Sequence, residues 1–318
     1  VVAIKQTLYR TGVKSDIVNA LVEAARSGKE VTVVIELRAR FDEESNLHLA
    51  ARLQEAGCLV VYGVVGYKCH AKAMLIVREE GNQLVRYSHL GTGNYHSGTA
   101  RLYSDYSFLT AEQDVGEDAH KVFQQLTGMG KIQKLKKLYN APFTLHAKMI
   151  ELIRREARLA KSGKPGHIMV KVNGLTEPKM IRALYEAAAA GVQVDLIIRG
   201  MCRIRPDIEG LSENIHVRSI IGRFLEHTRV YYFGNNGKPD VFCASADWME
   251  RNMLNRVETG FQVFGKHAER LKRELDYYMK DNCQSWELQA DGSYVQNKPA
   301  EGEELFSAQQ ALLDEFAK

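Results

Sequence analysis

Two tripeptides, His70-Ala71-Lys72 and His227-Thr228-Arg229, each set a histidine two residues ahead of a cation, and each leads into an apolar run. On a strand, residues i and i+2 share a face. The spacing therefore predicts that His70 and Lys72 point the same way, as do His227, Arg229 and Tyr231. A cation beside an imidazole lowers its pKa and keeps a lone pair available for attack. The same cation can hold an anion, and a phosphoryl group supplies both the anion and the electrophile. Arg10, Arg38, Arg40, Arg199, Arg203 and Arg205 fall at or beyond predicted strand ends, where α/β proteins place ligands. Guanidinium groups suit bidentate phosphate contacts, although Arg203 and Arg205 read equally well as plain surface residues. A histidine nucleophile also needs its second nitrogen oriented by an acceptor. Asp105 and Glu258, on the late strand of each half, are the candidates.

One His-x-Lys alone is noise in a chain of this size, where a lone strand histidine is more often structural. The elements around the two cassettes change that reading, because they repeat. The stretch 17–35 reads IVNALVEAARSGKEVTVVI and 180–198 reads MIRALYEAAAAGVQVDLII. At an offset of 163, Ala20/Ala183, Leu21/Leu184, Glu23/Glu186, Gly28/Gly191, Val31/Val194 and Ile35/Ile198 are identical pairs. Both copies are an amphipathic helix, a glycine stop and a buried β-branched strand. The histidines lie 157 apart, so the second copy is six residues shorter in the intervening loop.

The pattern predicts strands at 1–5, 31–36 and 59–62, a strand pair at 70–78 and 84–89, and a last strand at 103–109. Helices are predicted at 15–26, 45–56 and 115–126, and Gly91-Thr92-Gly93-Asn94 reads as a turn. Gly91-Thr92-Gly93 alone is a weak phosphate-loop signal, and His89 and His96 beside it read as structural. The basic run 131–142 (KIQKLKKLYNAP) is a connector whose lysines read as a solvated helix face rather than a nucleic-acid patch. The second half opens with a helix at 146–161, has a strand at 215–220, and ends in helices at 266–280 and 301–318. Alternating strands and helices give an α/β fold with parallel or mixed sheets. The expected organisation is two homologous domains, 1–137 and 138–318, with one active site at their interface.

Composition is that of a globular protein: 318 residues, 45% hydrophobic and 26% charged, with room for two cores. There is no run of about twenty apolar residues and no secretory leader. The net charge of +4 dictates no partner. Five scattered cysteines, Cys58, Cys69, Cys202, Cys243 and Cys283, lack CxxC spacing. They read as reduced thiols in a cytoplasmic protein and argue against zinc, with Cys69 a plain buried thiol. The chain opens on a strand without Met, VVAIKQ, and reads as the downstream part of a longer protein.

Paired His-x-Lys cassettes in two α/β halves resemble the phospholipase D superfamily. Longer strings are closer to the C-terminal half of the polyphosphate kinase family: IKQTLYRTG at 4–12, ELRARFDEESN at 36–46, YKCHAKAMLIVR at 67–78, HLGTGNYH at 89–96 and RGMCRIRP at 199–206. The phospholipase D motif continues from Lys through four residues to an Asp, whereas these positions hold Val77 and Gly234. The resemblance implies tandem phospholipase D-like domains and reversible transfer of the ATP terminal phosphate to inorganic polyphosphate through a phosphohistidine. It makes His70 the nucleophile and His227 an acid or base, and places Tyr103, Arg199 and His227 at the nucleotide. Arg10 and Arg40 match arginines at the magnesium–triphosphate site. Arginine cannot ligate a cation, so these two are expected to hold phosphate oxygens that Mg²⁺ also binds. Expected partners are ATP, ADP and polyphosphate within a homo-oligomer, without nucleic acid. Peripheral association with the inner face of the membrane is open to the family, but no amphipathic anchor demands it. The competing readings are a phospholipase D-like phosphodiesterase and a polyanion-binding fragment without turnover, since the family's upstream adenine-binding part is missing here.

Overall fold

A computed structural model describes residues 1–11, 15–36, 43–63, 66–128 and 133–317. Chain contacts divide it into two units, one of Val1–Leu145 with Leu254–Phe261 and one of His146–Met253 with Gln262–Lys318.

The first unit is built on β1 (Ala3–Leu8), α1 (Asp16–Arg26), β2 (Glu30–Ile35), α2 (Glu43–Glu55) and β3 (Leu59–Val61). The three strands are mutually parallel. Helix α1 starts where Ser15 accepts from the Val18 amide, and its next residue, Asp16, favours the N-terminal dipole. It ends at Gly28, whose φ of 79° is left-handed. Gly191 has φ of 93° at the same place in the second copy, which explains why this pair is identical. Leu21 and Val22 of α1 and Leu53 of α2 pack on Val31, Val33 and Ile35, each burial stabilising by roughly 1.5–3 kcal/mol.

The chain continues through β4 (Lys68–Cys69), β5 (Ala73–Glu80), β6 (Gln83–Gly91), α3 (Ser97–Ala100), β7 (Tyr103–Ser104), β8 (Ser107–Thr110), α4 (Gln113–Leu126) and β9 (Leu138–Ala141). The sheet order is β3-β2-β1-β5-β6-β8, with β5, β6 and β8 antiparallel to their predecessors in that order.

The second unit contains α5 (Leu145–Lys161), β10 (His167–Val172), α6 (Pro178–Ala189), β11 (Gln193–Ile198), β12 (Ile215–Ile220), β13 (Leu225–Glu226), β14 (Val230–Phe233), β15 (Asp240–Ala244) and α7 (Glu250–Asn255). After β16 (Arg256–Val263) come α8 (Lys266–Lys280), β17 (Ser285–Leu288), β18 (Tyr294–Gln296) and α9 (Ala308–Phe316). Its strands run in the order β18-β17-β12-β11-β10-β14-β15. The run β12-β11-β10-β14-β15 repeats β3-β2-β1-β5-β6 with the same parallel and antiparallel senses. The α/β duplication expected from the sequence is therefore present in topology as well as in residues. Among the described residues no helix is long and apolar enough to cross a membrane.

Four expectations need correction. The predicted strand at 70–78 starts only at Ala73, because the His70 and Ala71 carbonyls are taken by the Lys72 ammonium and the Thr7 hydroxyl. The strand at 103–109 is broken at Asp105 and Tyr106, where the Tyr106 amide and carbonyl are both taken up by Thr92. From residue 133 onward the basic run is no helix. The amides of Lys136, Lys137 and Leu138 converge on Asp118, Lys136 pairs with Asp114 and Glu117, and the chain then enters β9. The terminal helix is confined to α9, because Asn282 ties down the Phe306 amide and the Glu304 carbonyl ahead of it.

Candidate active site

Neither cassette lies in a strand. Each occupies the break between a two-residue strand and a longer one, β4 to β5 for His70 and β13 to β14 for His227. In both, the basic residue turns back on its own histidine. Lys72 Nζ donates to the His70 carbonyl at 2.7 Å, and Arg229 Nη1 donates to the His227 carbonyl at 2.7 Å. The next strand closes both alike, with Gly91 N–H on the Lys72 carbonyl and Ala244 N–H on the Arg229 carbonyl.

The His70 cassette is clamped atom by atom. The Cys69 amide donates to Glu36 Oε2 at 2.8 Å, and the His70 amide to the Val257 carbonyl at 2.9 Å. Thr7 Oγ1 donates to the Ala71 carbonyl at 2.7 Å and receives the Ala73 amide at 3.0 Å. β4 runs parallel to β16, with Cys69 opposite Val257. The following residue on β16, Glu258, thereby reaches the imidazole, and His70 Nδ1 lies 2.9 Å from Glu258 Oε2. Glu258 is fully buried and His70 is 8% exposed. A carboxylate at this distance is the acceptor that favours the imidazole tautomer with its proton on Nδ1 and its lone pair on Nε2. The Tyr9 ring meets the imidazole edge-on at 4.8 Å, and Lys72 Nζ lies 5.5 Å from the centre of that ring. Burial pushes the neighbouring Cys69 thiol up to about 12, which leaves it an inert thiol beside the histidine.

Glu258 is the carboxylate expected from the sequence, but its strand is built into the first unit, where it serves the first histidine. Asp105 lies between β7 and β8 and accepts from Thr92 Oγ1 at 2.6 Å. A Cβ on Gly93 would fall 2.3 Å from Asp105 Oδ2. The Gly-Thr-Gly turn therefore makes room for a carboxylate. His89 bonds the Tyr95 hydroxyl and His96 caps α3, both structural roles.

In the second unit Arg229 Nη1 lies 3.2 Å from His227 Nδ1 and 3.1 Å from Nε2. Asp247 holds that guanidinium at two points, Nε at 3.1 Å and Nη2 at 3.2 Å. Asn173 gives Asp247 Oδ1 its amide and its side-chain N–H, each at 2.8 Å. Burial alone would raise the Asp247 carboxyl, but Arg229 and Asn173 hold it far below the ordinary carboxylate range. Arg199, expected at the nucleotide, donates from Nε to Asn173 Oδ1 at 2.5 Å, so it joins the His227 network. Tyr103 lies on β7, and Arg203 and Arg205 are exposed. Arg10 follows β1, 5.8 Å from the centre of the Tyr9 ring. Arg38 and Arg40 lie outside the described residues.

Asp247, Asn173, Tyr9, Thr7 and Glu36 were not anticipated. The repeat carries a signal for Asp247. Aligning Gly91 with Ala244 matches Gly-Thr-Gly-Asn to Ala-Ser-Ala-Asp and sets Asp247 on Asn94.

Family models complete the account. Residues 1–132 match the model for polyphosphate kinase C-terminal domain 1, and residues 138–309 match that for C-terminal domain 2. The chain belongs to the polyphosphate kinase family. It is 62% identical to the polyphosphate kinase of Pseudomonas aeruginosa over 318 residues, covering 100% of this chain and 46% of the relative. Against that of Xylella fastidiosa it is 58% identical over 316 residues, covering 99% and 45%. The chain thus spans about half the length of the curated relatives it matches. The crystal structure of polyphosphate kinase from Porphyromonas gingivalis aligns with a TM-score of 0.91 at 36% identity, over 99% of this chain and 48% of that one. Phosphatidylserine synthase of Haemophilus influenzae aligns with a TM-score of 0.59 at 9% identity, over 99% and 88%. The latter likeness concerns the fold alone, the mixed α/β architecture.

Among the described residues no three or more His, Cys, Asp or Glu side chains are grouped to hold a metal.

Proposed function

We propose that the chain is the catalytic region of a polyphosphate kinase, moving the terminal phosphate of ATP to inorganic polyphosphate and back through a phosphohistidine on His70. The contact that carries this reading is the one between His70 Nδ1 and buried Glu258. The Nε2 lone pair attacks the γ-phosphorus, the P–N bond forms and the bond to the β,γ-bridging oxygen breaks, releasing ADP. Positive charge then develops on the imidazole, and the Glu258 carboxylate at Nδ1 offsets it. A terminal oxygen of polyphosphate attacks the same phosphorus, the P–N bond breaks, and His70 regains its lone pair. His227 serves the leaving or attacking oxygen as acid or base, positioned by Arg229 and Asp247. Tyr103 and Arg199 contact the nucleotide. Arg10 and Arg40 would hold the phosphate oxygens beside a Mg²⁺ bound with ATP, which would supply charge neutralisation there.

Val77 and Gly234 stand where a phosphodiesterase of this architecture has its aspartates. The test is incubation with γ-labelled ATP. Acid-labile, base-stable label that disappears in His70→Ala supports the kinase. Cleavage of DNA or phosphatidylcholine without ATP-derived label overturns it. Tight polyphosphate binding with no label, on the protein as encoded in full, leaves only a polyanion-binding role.

A further inference from the structure

Lys171 of β10 is 2% exposed, and a buried lysine is costly unless every donor is met. Its ammonium donates to Thr228 Oγ1, pairs with Glu226 Oε2 at 2.7 Å, and lies 4.7 Å from the centre of the Tyr278 ring. These partners account for its three N–H groups. Glu226 and Thr228 are the residues immediately before and after His227. One ammonium therefore grips both chain neighbours of His227. Arg229, itself held by Asp247, meets the imidazole.

The network extends to the C-terminal helix. Gln309 of α9 donates from Nε2 to Glu226 Oε1 at 2.6 Å and to the Phe224 carbonyl at 2.9 Å. Its Oε1 accepts the Phe224 amide at 3.0 Å. The first unit shows that the fold does not require this charge. Ile4 lies opposite Val31 and Ile168 opposite Val194, so Thr7 is the register equivalent of Lys171. There a neutral hydroxyl closes the cassette through backbone groups alone.

We propose that Lys171 is a positioning residue for His227, its ammonium bracketing the histidine through Glu226 and Thr228, with Gln309 coupling α9 to the same point. This rests on the reading of His227 as a participant in phosphoryl transfer. The test is the paired substitution Lys171→Met with Glu226→Gln, which leaves no buried carboxylate without its cation, made in the protein as encoded in full. Diethylpyrocarbonate modification is followed at each histidine by peptide mass spectrometry. Modification at His227 is expected to quicken severalfold while His70 keeps its wild-type rate. The kcat for polyphosphate synthesis should fall about tenfold with KM for ATP within about twofold, and the pair should add no further loss to His227→Ala. Unchanged reactivity at His227, equal quickening at every histidine, unchanged kcat, or an additive loss on His227→Ala overturns the proposal. Local quickening at His227 in a protein that forms no label from ATP instead overturns the kinase reading and leaves Lys171 as the anchor of that histidine.

Discussion

The two cassettes share a backbone design and differ in what touches the imidazole. At His70 a buried carboxylate meets Nδ1 directly. At His227 a guanidinium lies between the imidazole and its carboxylate. A carboxylate on Nδ1 favours the positive charge that nucleophilic attack creates, and a guanidinium opposes it. The duplication thus places its two histidines in different electrostatic surroundings, a carboxylate at one imidazole and a guanidinium at the other.

Removing each histidine should separate them most strongly. His70→Ala is expected to abolish ATP-derived label and lower synthesis on the order of a thousandfold or more. His227→Ala should keep label on His70 and slow turnover by about a hundredfold to ten-thousandfold, the usual range for a lost acid or base. Loss of label in both variants would make the cassettes equivalent and break the comparison.

The carboxylates should divide the other way. Glu258→Gln removes the charge facing His70 and is expected to slow label formation by about a hundredfold or more, with a modest change in thermal stability. Asp247→Asn leaves the Arg229 guanidinium buried without its counter-charge, and should cost about 3–5 kcal/mol in denaturant unfolding. Equal losses of stability in the two variants would remove this distinction.

How far the sequence announced this arrangement differs by region. The repeated helix–strand unit was legible because its determinants are local: the Ser15 cap, the Gly28 and Gly191 stops, and the apolar stripe that buries Leu21 and Leu184. Strand β12 and helix α8 have the limits expected for the same reason. The breaks at the cassettes were not legible. His70 bonds a residue 187 positions later through its amide and one 188 positions later through its ring, and no periodicity encodes such pairing. Glu258 is legible through the repeat as a carboxylate on a late strand, but its packing within the first unit is not. Lys171 is not legible because its buried partners lie far along the chain and leave no local pattern, whereas Asp247 is marked only by its place opposite Asn94 in the repeat.

A smaller effect comes from Asp195 in the second unit, which two histidines meet. Asp195 receives His167 at 2.7 Å and His216 at 3.2 Å. Burial alone would raise its carboxyl, but these hydrogen bonds bring it down to about 2. The hydrogen bond to Asp195 raises His216 above its ordinary 6.5. The depressed carboxyl contributes stability that is present above its ordinary 3.8 and is lost as pH falls through about 2. The raised imidazole contributes stability that is present below 6.5 and is lost as pH rises through its folded value. Together they predict a shared optimum between these limits. The His216 side chain is 51% exposed, so water screens the pair and the gain at pH 5 over pH 8 should be about 0.5 kcal/mol. Denaturant melts of wild type and His216→Gln at both pH values measure it, and a pH dependence unchanged by the substitution would assign the effect elsewhere.

The central claim is that Glu258 makes His70, through Nε2, the phosphoryl carrier. Brief exposure of the protein to ATP, followed by proteolysis at alkaline pH and mass-spectrometric and ³¹P analysis of the phosphopeptide, addresses it directly. The account predicts phosphate on His70 at Nε2. Phosphate on His227, or on His70 at Nδ1, would contradict it.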